Sequence, residues 1–204
     1  MLALWGVVSS LTPPLVPIVA PAEAVAGTAR TVQMVVGSSG PGMAPLFELL
    51  SSDLGGAALV ITGATAVAGA VWGELLATAA TSKGAAAVLV HGAVRDRSAM
   101  RVIGLPVYAA GERTVGPNGT AHVVAIGEPV SIDGVTVAAG DAIVADAGGC
   151  ARVPAAWSSV AMDAARRYAD AEERVRAALV AGEPLTSAYR YKSEVVAQLR
   201  ALAR

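Results

Sequence analysis

The strongest constraint on the fold of this chain is a helical segment that is followed directly by a buried strand. Residues 75–82 have helical composition and end at Lys83 and Gly84, which stop a helix. Residues 85–90, with the sequence Ala-Ala-Ala-Val-Leu-Val, form an apolar run that is too short for an independent helix. This run predicts a buried strand that ends at Gly92. A helix that leads back into a buried strand is typical of an α/β domain.

Charged residues lie at both ends of this helix–strand segment. Glu74 begins the predicted helix, and Arg95 and Asp96 follow the predicted strand. Because the strand carries the chain back across the domain, we expect these three side chains to meet in one cleft. The alternative is a surface salt bridge between Arg95 and Glu74, since paired charges are often structural.

The same residues suit the binding of a metal ion and an acidic substrate. Asp96 could hold a magnesium ion that keeps most of its waters, because magnesium is often bound by only one or two carboxylates. Arg95 presents a planar fork that matches a substrate carboxylate. The free backbone N–H groups of Leu75 and Leu76 at the helix start favour an anion. Glu74 could orient a metal-bound water as a base.

The remaining sequence alternates between strand and helix patterns. Helices are predicted at residues 2–11 and 45–52, strands at 27–36, 57–62, 107–109, 121–126 and 143–145, and a hairpin at 131–137 with Asp133-Gly134 as its turn. Beyond Pro154, apolar residues from Trp157 to Leu179 recur at helical spacing. A second helix is predicted at about residues 187–202. We therefore expect a core domain at 1–154 and a helical extension at 155–204, which packs on the core or on a neighbouring subunit.

Residues 59–154 resemble the RraA-like family. The matching segments occur in the family's order and spacing, at residues 72–76, 92–96, 104–108, 134–137, 140–141, 145–146 and 148–149. The family includes class II pyruvate aldolases such as 4-hydroxy-4-methyl-2-oxoglutarate/4-carboxy-4-hydroxy-2-oxoadipate aldolase, oxaloacetate decarboxylases, and a non-catalytic regulator of ribonuclease E. The aldolases of the family carry Asp at the position of Glu74, so the carboxylate is kept here on a longer side chain.

The resemblance implies an α/β fold of the swivelling β/β/α sandwich type, a ring-shaped homotrimer or hexamer, and a site built on Asp96. It implies that Asp96 binds Mg²⁺, or another divalent cation such as Mn²⁺, and that Glu74 and Arg95 are catalytic. Substrate binding would fall to Arg95 and to the backbone of Gly73, Leu75 and Leu76.

The activity that the resemblance implies is a magnesium-dependent lyase acting on a 2-oxo acid with a pyruvyl unit. Retro-aldol cleavage and decarboxylation of a β-keto acid both form an enolate, which Arg95 would neutralise, so the sequence does not separate them. Two alternatives stay open: a non-catalytic binding or regulatory protein, and an enzyme that uses the same cleft for another enolisable substrate. His91 is a further candidate, either as a proton donor or acceptor near the metal or as a strand-end histidine bonded to backbone.

Composition narrows the classes of partner. The formal net charge of the 204-residue chain is −1, which argues against a general nucleic-acid-binding protein. Hydrophobic residues make up 54% of the chain, but Pro, Gly or charged residues interrupt the long apolar stretches, so no membrane-spanning helix is expected. No Lys or Arg precedes Arg30, so the positive segment of a signal peptide is missing. We expect a cytoplasmic protein without membrane or nucleic-acid partners.

Overall fold

A computed structural model describes residues 8–12, 14–37 and 39–202. Ser9–Ala155 form one compact unit, and the residues from Ala156 onward belong to a second one. The strands of the first unit are β1 Ser9–Ser10, β2 Val16–Val19, β3 Val25–Val36, β4 Ala58–Ala64, β5 Ala87–Val94, β6 Val107–Glu112, β7 Ala121–Ile126, β8 Val130–Ile132, β9 Val135–Val137, β10 Ala142–Asp146 and β11 Gly149–Val153. Its helices are α1 Ala44–Ser51, α2 Glu74–Ser82 and α3 Arg97–Ile103.

Most strands of this unit belong to one mixed sheet. Its order is β1-β11-β10-β3-β4-β5-β6-β2, and β7 pairs with β3 beside this path. Strands β3, β4, β5 and β6 are parallel neighbours, while β2, β7, β10 and β11 pair antiparallel. The carboxyl ends of β4, β5 and β6 therefore lie at one edge of the sheet, where open α/β sheets bind their ligands.

The parallel strands are buried on both faces, as expected for a sheet that is covered on each side. Residues of one face pack with the helices, for example Val88 and Val90 of β5 with Ala77 of α2 and Met100 of α3. On the other face, Leu89 packs in a second cluster that includes the β8–β9 hairpin. The alternation of these side chains fixes the register of β5 and so the position of the residues that follow it.

The predicted helix and strand around the charged residues are confirmed. Helix α2 begins at Glu74, and β5 continues past Gly92 to Val94, directly before Arg95. The β8–β9 hairpin is also confirmed, with its turn at Asp133 and Gly134, whose φ angles are 44° and 85°. Two successive positive φ angles identify a type I′ turn, which matches the twist of the flanking strands.

The predicted N-terminal helix at residues 2–11 is wrong where the structure describes it. Ser9–Ser10 form β1, which pairs with Ala151 and Arg152 of β11. Hydrogen bonds to β11 satisfy the backbone groups of Ser9 and Ser10 in place of helical hydrogen bonds. Residues 2–7 lie outside the described part of the chain.

The second unit is helical, as the apolar repeat indicated. It contains α4 Ser158–Val180, α5 Leu185–Ala188 and α6 Arg190–Leu202. The buried residues of α4 are Ala161, Ala164, Ala171, Val175 and Ala178. The buried face of α4 therefore agrees with part of the predicted apolar repeat and is displaced by one residue from the rest. Within the described residues, no helix combines the length and the apolar character that crossing a bilayer requires.

Asp141, in the turn before β10, is a buried carboxylate with a full set of partners. Its side chain accepts hydrogen bonds from Arg152 Nε at 2.7 Å and from the backbone N–H groups of Ala138 and Ala155 at 2.9 and 3.0 Å. Burial opposes ionisation, but these hydrogen bonds and the charge of Arg152 outweigh it and lower the pKa of Asp141 below its ordinary value. The ionised Asp141 thus ties β10 to β11.

Asp141→Asn is expected to lower the free energy of unfolding by about 3 kcal/mol at neutral pH, because it leaves the largely buried Arg152 without a counter-charge. A carboxyl group whose pKa is lowered by folding stabilises the protein above its unfolded pKa, about 3.9, and loses this contribution as the pH falls through its folded pKa. The free energies of unfolding of parent and variant, measured in urea, should therefore differ by a constant amount between roughly pH 6 and 8. The two free energies should converge below about pH 4. An unchanged difference in acid would contradict this assignment.

Candidate functional site

The start of α2 and the end of β5 lie side by side. Trp72 and Val94 form a parallel bridge, and the Arg95 N–H group donates to the Trp72 carbonyl at 2.9 Å. These backbone contacts bring Glu74, the first residue of α2, next to the two charged residues that follow β5. The three residues are therefore neighbours in the fold, but Glu74 and Asp96 line different cavities, and only Arg95 lines both.

Asp96 occupies an unusual backbone conformation at the centre of this cluster. Its φ and ψ angles are 59° and 35°, in the left-handed region, and it immediately precedes α3. Asp tolerates this conformation better than most residues, yet the conformation still costs on the order of 1–3 kcal/mol and is concentrated at functional sites. This conformation sets the direction in which the Asp96 side chain leaves the backbone at the carboxyl edge of the sheet.

The contacts of Asp96 go to one of its two carboxylate oxygens. Oδ2 lies 3.3 Å from Arg95 Nε and 3.4 Å from the Glu74 backbone N–H group, which donates to it. Oδ1 has no partner among the described residues. The ion pair of Arg95 is thus with Asp96, and no ion pair joins Arg95 to Glu74 in the described part of the chain.

Gly73 is required by this close approach. A Cβ atom at Gly73 would lie 2.7 Å from Asp96 Oδ2 and 3.0 Å from Arg95 Cγ. Its φ angle of −169° is ordinary extended backbone, so space and not conformation explains the glycine. Any side chain at this position would push the Asp96 carboxylate away from the start of α2.

Two cavities adjoin Arg95. The smaller one, about 260 Å³, is mainly apolar and contains the start of α2; it is lined by Arg95, Trp72, Gly73, Glu74, Leu75 and Leu76 together with Met43, Phe47, Ala70, Val71 and Pro117. The larger one, about 480 Å³, is charged and is lined by Arg95, Asp96, Glu112, Arg113 and Thr114. Arg95 lines both, so its guanidinium group can contact molecules in either cavity.

The start of α2 lines the smaller cavity with residues whose backbone N–H groups have no partner in the helix. The first hydrogen bond of the helix runs from the Ala77 N–H group to the Gly73 carbonyl at 3.0 Å. The N–H groups of Leu75 and Leu76 precede it and therefore have no acceptor within the helix. Together with Arg95, they could bind a carboxylate.

The donor set at Asp96 fits a hydrated divalent cation. No group of three or more His, Cys, Asp or Glu side chains suited to a metal ion occurs among the described residues, so an all-protein cage is absent there. Asp96 instead provides one free carboxylate oxygen at a cavity with room for water and substrate oxygens. Magnesium, which keeps several waters and takes one or two carboxylates, suits this arrangement.

His91 contacts a side chain, and no hydrogen bond joins its ring to the backbone of the described residues. Its Nε2 atom lies 3.1 Å from Asp133 Oδ1 in the turn of the β8–β9 hairpin, and its side chain is 13% exposed. His91 lines neither of the two cavities at Arg95. The structure therefore places it at the hairpin and apart from Glu74, Arg95 and Asp96.

A further cavity of about 420 Å³ lies at β10, β11 and the N-terminal segment, and is lined in part by Thr12, Asp146 and Cys150. Burial raises the pKa of the Cys150 thiol to about 11, although a hydrogen bond with Thr12 opposes the rise. The thiol is protonated at neutral pH and is a poor nucleophile. This cavity therefore carries no reactive group comparable to those near Arg95.

Sequence reasoning missed Glu112, Arg113 and Thr114 in the charged cavity. They follow or end β6, the parallel neighbour of β5, so their position is set by the strand order and not by any local motif. The rule that ligands bind at the carboxyl ends of parallel strands would have found them once β6 was placed beside β5.

The sequence matches the family model described as RraA-like, Aldolase/RraA, over residues 4–151. A protein of Halalkalibacterium halodurans named "Putative 4-hydroxy-4-methyl-2-oxoglutarate aldolase" is 30% identical over 156 residues, which cover 76% of this chain and 72% of that protein.

Two solved structures are similar to this one. An uncharacterized protein from Pseudomonas syringae pv. tomato superposes with a TM-score of 0.81 at 24% identity, covering 93% of this chain and 85% of that chain. The RNA-processing inhibitor RraA from Thermus thermophilis superposes with a TM-score of 0.61 at 27% identity, covering 74% of this chain and 88% of that chain.

Proposed function

This chain belongs to the RraA-like, Aldolase/RraA family, and we propose that it is a divalent-metal-dependent lyase that cleaves a C–C bond of a 2-oxo acid with a pyruvyl unit. The observation that carries the proposal is the joining of the Arg95–Asp96 pair to the start of α2. In the proposal, Asp96 is the metal-binding carboxylate, Arg95 the cationic fork and the start of α2 the anion site, and these contacts support their acting on one small molecule. The relative named as an aldolase supports the same class of reaction.

We assign substrate binding to the two cavities that Arg95 lines. The carboxylate of the pyruvyl unit would accept hydrogen bonds from the N–H groups of Leu75 and Leu76 and from the Arg95 guanidinium group. Gly73 leaves room for Asp96 and lines the smaller cavity in which the substrate would bind. The bound pyruvyl unit would then bridge from the smaller cavity to Asp96.

Asp96 would hold the cation, Mg²⁺ or Mn²⁺, through its free oxygen. When bound, the cation supplies Lewis-acid stabilisation of the negative charge that develops on the keto oxygen. Arg95 would also lower the energy of this charge, because its guanidinium group is already paired with Asp96 beside the substrate before reaction. Glu74 lines the smaller cavity beside Arg95 and is the candidate to move a proton at C3 of the pyruvyl unit.

Both aldol cleavage and β-keto acid decarboxylation leave the electron pair of the broken bond on the pyruvyl unit. The residues named above stabilise that enolate and do not depend on the leaving fragment. The proposal therefore covers both reactions at one site.

A second candidate is a non-catalytic regulatory protein. The similarity to the RNA-processing inhibitor RraA, with a TM-score of 0.61, favours it. Such a protein would have no need for the strained carboxylate at Asp96, and this difference favours the lyase.

Pyruvate release from oxaloacetate and from a 4-hydroxy-2-oxo diacid tests the proposal. We expect release from at least one of them with Mg²⁺ and none in excess chelator, with activity restored by added Mg²⁺ or Mn²⁺. Absence of metal-dependent release from both, and of metal-dependent C3 proton exchange in pyruvate, would reject the lyase and favour the regulatory candidate.

The proposal extends to assembly and location. Exposed apolar side chains on β3 and β7, including Val35, Val36, Val124 and Ile126, support burial against other copies, as a homotrimer or hexamer. We place the protein in the cytoplasm, with a small 2-oxo acid as its partner and no role for nucleic acid or membrane.

A further inference from the structure

Arg113, which lines the charged cavity, has no acidic partner among the described residues. Arg95 pairs with Asp96 at 3.3 Å, and Arg97 pairs with Glu112 at 3.0 Å. Arg113 forms no ion pair within the described residues; its Nη1 atom donates to the backbone carbonyl of Glu112 at 2.9 Å. The cavity thus contains one guanidinium group whose counter-charge the described chain does not supply.

The backbone places Arg113 beside Arg95. Val94 of β5 is in register with Glu112 of β6, and the Arg113 N–H group donates to the Val94 carbonyl at 2.9 Å. The two arginines therefore follow the ends of neighbouring parallel strands. A molecule held by Arg95 and Asp96 would extend toward Arg113 along the edge of the sheet.

Arg113 also lines an adjoining cavity of about 140 Å³ formed by small residues at the ends of β4, β5 and β6, among them Ala64, Gly92 and Gly111. The small side chains are necessary here, since a Cβ atom at Gly92 would lie 2.5 Å from the Ala64 Cβ atom. This cavity has room for a short substituent and contains no charged side chain besides Arg113.

We propose that Arg113 binds the distal carboxylate of the substrate and so makes the enzyme selective for 2-oxo diacids over 2-oxo monoacids. This inference rests on the proposed lyase function and assigns its specificity to one residue. In an aldol substrate, Arg113 contacts the carboxylate of the leaving fragment, which is not itself cleaved. This role does not extend to β-keto acids such as oxaloacetate, whose distal carboxylate leaves as CO2. Loss of Arg113 should therefore affect the binding of diacids and leave the pyruvyl chemistry unchanged.

Calorimetric binding of two unreactive probes tests the assignment without turnover. With Mg²⁺ present, the parent protein should bind 2-oxoglutarate more tightly than 2-oxopentanoate, which lacks the second carboxylate. Arg113→Ala should weaken 2-oxoglutarate binding by about tenfold to a hundredfold, the usual range for losing a hydrogen bond between charged groups, and leave 2-oxopentanoate binding unchanged. Arg113→Lys keeps the charge without the fork and should recover part of the preference.

Arg101→Ala, which removes an exposed arginine from α3 outside both cavities, serves as the matched control and should keep the parent preference. A parent protein without preference for 2-oxoglutarate, or an Arg113→Ala variant that loses affinity for both probes equally, would overturn the inference. Metal-dependent C3 proton exchange in pyruvate separates failure of the lyase from failure of the Arg113 assignment. Its absence in the parent rejects the lyase, whereas normal exchange in parent and variant, combined with an unchanged preference for 2-oxoglutarate in Arg113→Ala, rejects only the role of Arg113.

Discussion

Replacing Asp96 with Asn is expected to abolish metal-dependent pyruvate release while the protein stays folded. Asp96 offers a free carboxylate oxygen in the charged cavity, whereas Glu112 is already paired with Arg97. Without the carboxylate charge, the cation would be lost together with several kcal/mol of stabilisation of the developing negative charge. This loss corresponds to a decrease in kcat of about a thousandfold or more.

The folded state should survive this substitution because Asn, like Asp, tolerates the left-handed backbone that position 96 adopts at φ 59°. Circular dichroism and the thermal midpoint should match the parent, and titration with Mn²⁺ should show the loss of the metal site independently of activity. Asp53→Asn, which changes an exposed carboxylate after α1, is the matched control. Parent-like kcat in a folded Asp96→Asn protein would exclude Asp96 as the metal ligand of the reaction.

Local sequence signals were sufficient for the elements that carry the site. The Lys83-Gly84 stop and the short apolar run after it correctly separate α2 from β5, because helix and strand differ in how they bury small apolar side chains. The contact between their remote ends was also predictable, since a buried strand must return along the helix that precedes it. The ion pair between Arg95 and Asp96 was not predictable, because both Glu74 and Asp96 were expected within reach of Arg95.

Elements at the margins of the sheet were missed for physical reasons. Strand β2 contains Pro17, which argues against a strand but is tolerated because β2 is the last strand of the sheet and has a free edge. Strand β11 begins with Gly149 and has no clear alternation, and it is held by pairing with β10. The left-handed conformation of Asp96 and the contact of His91 with Asp133 depend on residues remote in sequence, so no local pattern could reveal them.

The second large effect is expected for Glu74→Gln in the proton transfer at C3. Glu74 is the only acidic residue that lines the smaller cavity beside Arg95 among the described residues, and its position as the first residue of α2 is fixed by the Trp72–Val94 bridge. Gln keeps the size of the side chain but cannot take up a proton from C3. Exchange of the C3 protons of pyruvate with deuterated solvent should therefore slow by about a hundredfold or more, the usual range for loss of a general acid–base group.

Metal affinity separates this role from that of Asp96. Because the Glu74 contact to Asp96 is made by its backbone N–H group and not by its side chain, Glu74→Gln should bind Mn²⁺ nearly as well as the parent. Glu128→Gln, an exposed substitution in the turn after β7, should exchange at the parent rate. If Glu74→Gln also exchanges at the parent rate with metal bound, Glu74 does not move the proton, and the acid–base group lies elsewhere. If its Mn²⁺ affinity falls in parallel with exchange, Glu74 acts on the cation and not on C3.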